Sequence, residues 1–498
     1  MLYFFGLAKR TAFFMAVWAL FSLYSCDEGI HSAVMKDGYP DIYPDYKDVT
    51  IPVNIAPLNF ILLDQFEKIE VQFLHDSQIM FRSSNRRNTK IPADVWRSML
   101  QKVTGSAIRV QVYARQSGKW YAYQPFEIHV SPDSIDPYIA YRLIDPGYEL
   151  WDQMGIYQRN LSTFNESVIF TNRITGKNCI NCHSFHHYHP DRMMFHSRGG
   201  KFSGTFLLTD GKMQRVDTKT EHAASAGTYP AWHPSGNFIA FSSNVTRQAF
   251  HVLPGKKIEV YDMESDLLVW DIKNNAMLRD PRFTTKNVWE TFPAWSPDGK
   301  WLYYCFADEK NVPFESSQIK YGLCRVDFDV TSFRFGVQID TILHPATSGI
   351  SVSFPRLSPD GRYLLFTASA YGTFPIWHKE ANLEMIDLVN SAIVNMQTIN
   401  SDEADSYHAW SSNSRWIVFS SRRIDGLYTR LFFAYLDSSG RIHKPFLLPQ
   451  KNPKSDMQLL RSYNVPEFIK GKVVLNPYEI GRTLKGETVN LREVIHKP

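Results

Sequence analysis

Two cysteines and a histidine are spaced in a way that could attach a haem group. Cys179, Cys182 and His183 form a C-x-x-C-H sequence, in which two thiols bind the haem vinyl groups and the adjacent imidazole ligates the iron. Because the chain has only five cysteines, an accidental match is expected in well under ~1% of such sequences. The spacing therefore predicts one covalently attached haem c, with His183 as the proximal iron ligand.

Two other kinds of chemistry fit the same pair of cysteines. The two thiols could form a reducible disulfide or remain an inert pair. They could also bind zinc together with one of the nearby histidines. The sequence leaves both alternatives open beside the haem hypothesis.

Several side chains after His183 could occupy the sixth coordination position of the iron. The candidates within thirteen residues are His186, His187, His189, His196, Met193 and Met194. On a strand, Met193 and Met194 point to opposite faces and His196 shares a face with Met194. We predict His196 or Met194 as the sixth ligand, with the loop histidines and a vacant position as alternatives. A histidine there favours a low reduction potential and a methionine a higher one.

The first 26 residues are typical of an export signal. A basic pair (9–10) precedes an apolar run (11–24) that is too short to span a bilayer comfortably. Leu23, Ser25 and Cys26 resemble the lipobox of bacterial lipoproteins. This resemblance implies lipidation of Cys26 and an exported protein, anchored at the periplasmic side of a membrane or at the cell surface. An ordinary signal peptide and a retained membrane anchor are the alternatives.

The remaining two cysteines lie on separate strand-like segments. Cys305 belongs to the segment 301–307 and Cys324 to the segment 321–327. A hairpin between them could bring the two thiols close together, and an exported protein meets an oxidising environment. We therefore predict a Cys305–Cys324 disulfide, with two buried thiols as the equally weighted alternative.

Four segments share a pattern of one aromatic residue, a tight turn and a run of alternating bulky residues. They begin at Tyr229, Phe292, Phe354 and Tyr407. Pro and Gly in three of the turns, Asp in two of these, and Asn in the fourth favour the bends of a strand–turn–strand unit. The repeats are 53 to 63 residues apart, which suits four-stranded blades. The sequence therefore predicts an all-β protein with a propeller.

These repeats resemble those of the TolB-type β-propellers, which carry the same aromatic-Pro-x-Trp-Ser-Pro-Asp-Gly signature. The resemblance covers residues 184–475, although 412–414 lack the Pro-Asp-Gly turn. It implies five to seven blades, with six favoured. A fainter repeat aligns Phe185 with Phe354, and 462–475 form a degenerate last blade. With the lipobox and the C-x-x-C-H sequence, the chain resembles exported Gram-negative propeller lipoproteins with a cytochrome c-type motif.

The rest of the chain divides around these features. Residues 27–44 are a tether, and 45–130 predict a β-sandwich-like domain with one helix near Ala93–Lys102. A connector with helix-breaking prolines is expected at 131–178. The haem-attachment segment is 179–196, leading into the first blade, and a C-terminal tail is 476–498.

Composition and motifs restrict the function classes. The formal net charge is +4 without a polybasic run, which argues against nucleic-acid partners. A lipid-anchored c-type haem protein would transfer single electrons or sense redox state with an unknown redox or envelope partner. A non-redox propeller would recruit a protein, peptide or glycan. A hydrolase is not expected, because no G-x-S-x-G sequence is present.

Overall fold

The protein is described here from a computed structural model that covers residues 29–145, 153–251 and 258–496. The predicted signal peptide and Cys26 lie outside these residues. Within them, no helix is both long enough and apolar enough to cross a membrane. Strands make up most of the regular structure, as the all-β prediction required.

The N-terminal strands are β1 (Val34–Met35), β2 (Ile42–Tyr43), β3 (Val49–Pro52), β4 (Ile61–Leu62), β5 (Lys68–His75), β6 (Gln78–Asn85), β7 (Ala107–Gln116), β8 (Lys119–Ala122) and β9 (Phe126–Ser131). Seven of them form one sheet, and β2 pairs with β4 in a separate two-stranded sheet. Strand β7 pairs with β5 along one edge and with β8 and β9 in turn along the other. Their number agrees with a sandwich-like domain. Their arrangement is one mixed sheet, because β1 and β3 pair in parallel with β8 and β9.

A helix packs on this sheet where the sequence predicted one. Helix α1 (Ala93–Lys102) buries Trp96, Met99 and Leu100, which lie on one face because of their i, i+3, i+4 spacing. The Trp96 ring meets Phe73 of β5 edge to face at 6.4 Å. The helix therefore closes one side of the N-terminal core.

Six four-stranded units follow in a ring, which confirms the propeller and its favoured blade number. Five blades are contiguous in the chain. Blade 1 has β13 (Cys179–Phe185), β14 (Arg192–Arg198), β15 (Gly204–Thr209) and β16 (Lys212–Asp217); blade 2 has β17 (Thr228–Trp232), β18 (Phe238–Phe250), β19 (Ile258–Asp271) and β20 (Ala276–Arg279); blade 3 has β21 (Val288–Trp295), β22 (Trp301–Asp308), β23 (Gly322–Asp329) and β24 (Arg334–Leu343); blade 4 has β25 (Ser351–Leu357), β26 (Tyr363–Ser369), β27 (Asn382–Asp387) and β28 (Ala392–Val394); blade 5 has β29 (Asp405–Trp410), β30 (Trp416–Ser421), β31 (Arg430–Tyr435) and β32 (Phe446–Leu447).

Blade 6 combines two distant parts of the chain, and this corrects the predicted connector. Residues 131–178 contain three strands, β10 (Tyr138–Ile144), β11 (Met154–Asn160) and β12 (Glu166–Thr171). The innermost strand, β33 (Ser462–Ile469), pairs with β10 in antiparallel register. The segment predicted as a degenerate last blade thus supplies one strand that closes the ring. The propeller therefore begins at β10, well before residue 184.

The C-terminal residues also join the propeller. Instead of a plain tail, 476–498 include a helix (Pro477–Lys485) and two short strands, β34 (Val489–Asn490) and β35 (Arg492–Ile495). β34 adds in parallel to the outer strand of blade 1 and β35 to that of blade 2. These strands cover the outer edges of both blades, which would otherwise expose unpaired backbone groups.

Every innermost strand carries the same irregularity. One non-glycine residue has a left-handed backbone (φ 47 to 54°), and the strand pairing skips it together with the next residue. The six positions are Cys182, Tyr229, Phe292, Phe354, Tyr407 and Val465. Such bulges re-aim a side chain. Four of the six are aromatic, and neighbouring rings meet at 4.3 to 5.0 Å, so this position faces the propeller axis.

Candidate functional site: a central cavity lined by two thiols and an imidazole

A cavity of about 710 Å³ occupies the centre of the propeller. Its walls come from the innermost strands of blades 1, 2, 4, 5 and 6 and from the long β18–β19 hairpin. At the axial position, Cys182 and Val465 replace the aromatic rings of the other blades. Smaller side chains leave space beside Tyr229, Phe354 and Tyr407, and the cavity is found there. Its volume is typical of a site for a cofactor or a drug-sized ligand.

The three residues of the C-x-x-C-H sequence all line this cavity. Cys179 begins β13, and Cys182 with His183 forms the bulge of the same strand. Both cysteines are free and buried, with 7% and 8% of their surface exposed. Burial raises the pKa of the Cys179 thiol. The structure therefore presents both thiols to one enclosed space.

The imidazole of His183 lacks a hydrogen-bond partner on either nitrogen, although it is only 2% exposed. Burial lowers the pKa of His183 to about 3, and the positive charge of Arg142 contributes to this. The backbone of Val465 lies near the ring and opposes the shift, but the contact is outside normal hydrogen-bond geometry. A neutral buried imidazole without a partner is unusual. Its free lone pair is what an iron ion would require.

The structure corrects the alignment of the first blade with the other repeats. Phe185 pairs with Met193, as Leu357 pairs with Leu364, so Phe185 matches Leu357. Cys182 therefore matches Phe354, three residues away from the predicted alignment. The cause is the turn after β13, which contains a 3-10 segment, His186–Tyr188, in place of the Ser-Pro-Asp-Gly turn.

The two predicted sixth ligands do not line the cavity. β14 is a strand, as predicted, but Met194 packs against Leu207 and Trp270 between blades 1 and 2. His196 is fully buried, and its Nδ1 lies 2.9 Å from Oγ1 of Thr205. Burial lowers the pKa of His196 to about 3. Both residues belong to the packing of the blades, and the structure does not bring them to the cavity that holds His183.

The loop histidines are also engaged elsewhere. His186 and His187 each place Nε2 within hydrogen-bond distance of the Pro234 carbonyl, at 3.0 and 2.9 Å. Among residues 29–145, 153–251 and 258–496, no group of three or more His, Cys, Asp or Glu side chains is arranged to hold a metal ion.

Other residues that face the cavity were missed by sequence reasoning. Met154 and His408 line it together with His183. His408 is the equivalent of His183 in blade 5, since each follows the axial residue of its strand. Its ring nitrogens contact the Leu365 carbonyl at 3.2 Å and Oγ1 of Thr367 at 3.5 Å. His408 could have been found from its place in the repeat, directly after the axial aromatic residue. Met154 could not, because it lies in the segment predicted to be a connector.

The predicted disulfide between Cys305 and Cys324 is wrong. Cys305 is paired with Leu323, and Cys324 with Tyr304. The two cysteines are therefore offset by one residue and point to opposite faces of blade 3. Cys305 packs towards blade 4 and Cys324 packs towards blade 2. Thiols that point apart cannot be bridged, and both are free and buried.

The fold and the site together define a six-bladed β-propeller whose central cavity presents two thiols and an unpartnered imidazole. No family model matches the chain. An uncharacterized protein of Agrobacterium fabrum is 28% identical over 113 residues, which are 22% of this chain and 32% of that protein. The chain thus matches about a third of the length of this curated relative.

Solved structures with a similar fold are distant. A periplasmic gluconolactonase of Pseudomonas aeruginosa is 13% identical, with a TM-score of 0.32, over 68% of this chain and 100% of that one. Prolyl oligopeptidase B of Galerina marginata is 9% identical, with a TM-score of 0.36, over 68% and 42% of the two chains. A puromycin-hydrolyzing peptidase of Mycobacterium tuberculosis is 12% identical, with a TM-score of 0.33, over 54% and 39%. These similarities carry no argument about function.

Proposed function

We propose that this chain is an exported, lipid-anchored c-type haem protein that holds one haem in the propeller cavity. Cys179 and Cys182 would form the thioether bonds, and His183 would be the proximal iron ligand. When bound, the haem supplies one-electron redox chemistry. The protein would transfer single electrons or sense redox state for a partner in the cell envelope.

The observation that carries the proposal is the state of His183. Its imidazole is neutral and buried, lacks a hydrogen bond, and lines the same cavity as both thiols. A solvated or structural histidine would normally have a partner. Iron ligation would satisfy one ring nitrogen.

The chain's own residues would also restrict the haem environment. The axial aromatic rings Tyr229, Phe354 and Tyr407 form one side of the cavity wall and would cover part of a haem there. Low exposure and a low dielectric influence the reduction potential of a haem. For the sixth position, Met154 would be the side chain available in the described cavity in place of Met194 and His196, because both ring nitrogens of His408 already contact protein oxygen atoms.

A non-redox binding module is the second candidate function. The central cavity is large enough to accept a ligand, and its walls combine aromatic and charged side chains, which is typical of binding sites. In this alternative, the propeller would recruit a protein, peptide or glycan, and the C-x-x-C-H residues would serve structure alone.

The visible spectrum of the denatured protein distinguishes these functions. The chain is expressed in a host competent for cytochrome c maturation, then denatured and dialysed to remove free haem. We expect a reduced haem spectrum that persists, because thioether bonds survive denaturation. The Cys179→Ala/Cys182→Ala variant should lose it. The matched Cys305→Ala/Cys324→Ala variant, which removes two other buried cysteines, should keep it. A colourless wild-type protein would refute the haem proposal.

A further inference from the structure

Two buried arginines face the central cavity without a carboxylate partner among the described residues. Arg142 of β10 is 7% exposed and Arg422, just after β30, is 4% exposed. Both line the cavity. Arg142 makes neither a hydrogen bond nor an ion pair with any described residue, and its Nε is fully buried. A buried guanidinium without a counter-charge is strongly unfavourable, so this cavity is built to receive an anion.

Arg422 is held in place by neutral groups. Its Nε donates to the Ile376 carbonyl at 2.6 Å, its Nη1 donates to the Leu427 carbonyl, and its guanidinium lies 3.4 Å from the centre of the Trp377 ring. These contacts fix the orientation of the guanidinium without forming an ion pair. Nη2 makes no hydrogen bond to a described residue and can donate to a ligand. Burial lowers the pKa of Arg422 to about 9, so it remains protonated near neutral pH.

Tyr407 adds a third donor to the same cavity. It is the axial residue of blade 5, and its buried ring lines the same cavity. Its hydroxyl has no hydrogen-bond partner among the described residues. Burial raises the pKa of Tyr407, and the positive charges of Arg142 and Arg422 oppose this.

A third arginine of the cavity has a carboxylate in its electrostatic surroundings. Arg356 of blade 4 lies in the field of the Glu467 carboxylate, and each side chain favours the charged form of the other. The cavity therefore contains an internal counter-charge for Arg356. The Asp425 and Glu403 carboxylates act on Arg422 in the same way, but no described carboxylate lies within ion-pair distance of Arg142 or Arg422.

We propose that Arg142, Tyr407 and Arg422 form a carboxylate-binding subsite in the central cavity. Guanidinium groups bind planar carboxylates with paired hydrogen bonds, and the apolar cavity walls fit a largely apolar molecule that carries them. Two sources have this chemistry: the propionates of a haem or a free carboxylate ligand. The first source depends on the function proposed above, and the second does not.

Porphyrin binding tests the subsite directly. The Cys179→Ala/Cys182→Ala chain is titrated with mesoporphyrin and with mesoporphyrin dimethyl ester, which lacks the carboxylate charges. We expect the diacid to bind at least ~10-fold more tightly, since hydrogen bonds to charged groups have this strength. Arg142→Gln and Arg422→Gln should each remove most of this preference. Arg334→Gln, on an exposed outer strand, should leave it unchanged.

Succinate and inorganic phosphate separate the sources. If succinate binds the haem-free chain but not the haem-loaded chain, the haem propionates occupy the subsite. If succinate binds both chains, the subsite takes a free carboxylate ligand. If a glutamine variant does not fold, Arg142→Lys and Arg422→Lys replace it in these titrations, because they keep the positive charge and should fold normally. Equal affinity for diacid and diester, or preference for phosphate, would overturn the subsite. Haem attachment without a preference for the diacid would refute the carboxylate subsite and leave the haem proposal standing. Arginine-dependent succinate binding without haem attachment would refute only the haem proposal.

Discussion

At the scale of single residues, the candidate site is distinguished by buried polar side chains that have no protein partner among the described residues. His183 has no hydrogen bond, and Arg142 has no described counter-charge. His408, at the equivalent position of blade 5, contacts two protein oxygen atoms and lies in the same cavity. The contrast supports the ligand roles proposed above for His183 and Arg142, because a purely structural residue would be satisfied by the protein.

A second buried residue makes stability depend on pH. Burial raises the pKa of Glu290 to about 9, and the nearby Asp266 carboxylate adds to this. In the unfolded chain the carboxyl ionises near its ordinary value, so between these limits folding must take up a proton. Stability therefore falls as pH rises from about 4.5 towards 9.

Glu290→Gln removes this titration. We expect the variant to unfold like the wild type at pH 4 and to be more stable by roughly 2–3 kcal/mol at pH 7. Chemical denaturation at several pH values measures the difference, with Glu221→Gln at an exposed position as the control. A constant difference at every pH would contradict the assignment of the proton to Glu290.

At the scale of elements, local repeats predicted four blades and missed the details of two. Blades 2 to 5 contain an aromatic residue before a recognisable turn. Blade 1 has Cys182 and His183 at the corresponding positions, and a different turn follows. Blade 6 joins strands at 138–171 to a strand at 462–469, and a contact between such distant segments leaves no local pattern.

Distance along the chain also decided which site residues were predictable. Cys179, Cys182 and His183 are adjacent in sequence, so their spacing indicated their chemistry. Arg142, Arg422 and the other cavity residues come from different blades and meet only when the ring closes. Strand periodicity placed His196 and Met194 on a shared face, but it does not say whether that face meets the cavity or the next blade, and in the structure neither residue lines the cavity.

At the scale of the whole molecule, the N-terminal sheet and the propeller share one core. Trp96 of α1 and Phe73 of β5 belong to the same continuous apolar cluster as Trp416 and Phe433 of blade 5. Blade 6 contributes Phe468, whose ring lies 6.0 Å from that of Phe433. The two parts of the protein should therefore depend on each other for stability.

Calorimetry tests this dependence. We expect one unfolding transition for the N-terminal sheet and the propeller together. Phe433→Ala should lower the stability by about 3–5 kcal/mol, because it leaves a cavity in the shared core, and should shift the whole transition. Phe314→Ala, at a side chain that is 84% exposed, should have little effect. Two separate transitions, of which Phe433→Ala moves only one, would contradict a shared core.

Peptide mapping of the protein made in a cytochrome c-maturing host shows directly whether haem is attached at Cys179 and Cys182. Trypsin cleavage after Lys177 and Arg192 releases residues 178–192, which contain Cys179, Cys182 and His183. We predict that this peptide carries one haem through both cysteines and that the peptides with Cys305 and Cys324 are unmodified. Recovery of the peptide 178–192 without haem, with free thiols or an internal disulfide, would contradict haem attachment at Cys179 and Cys182.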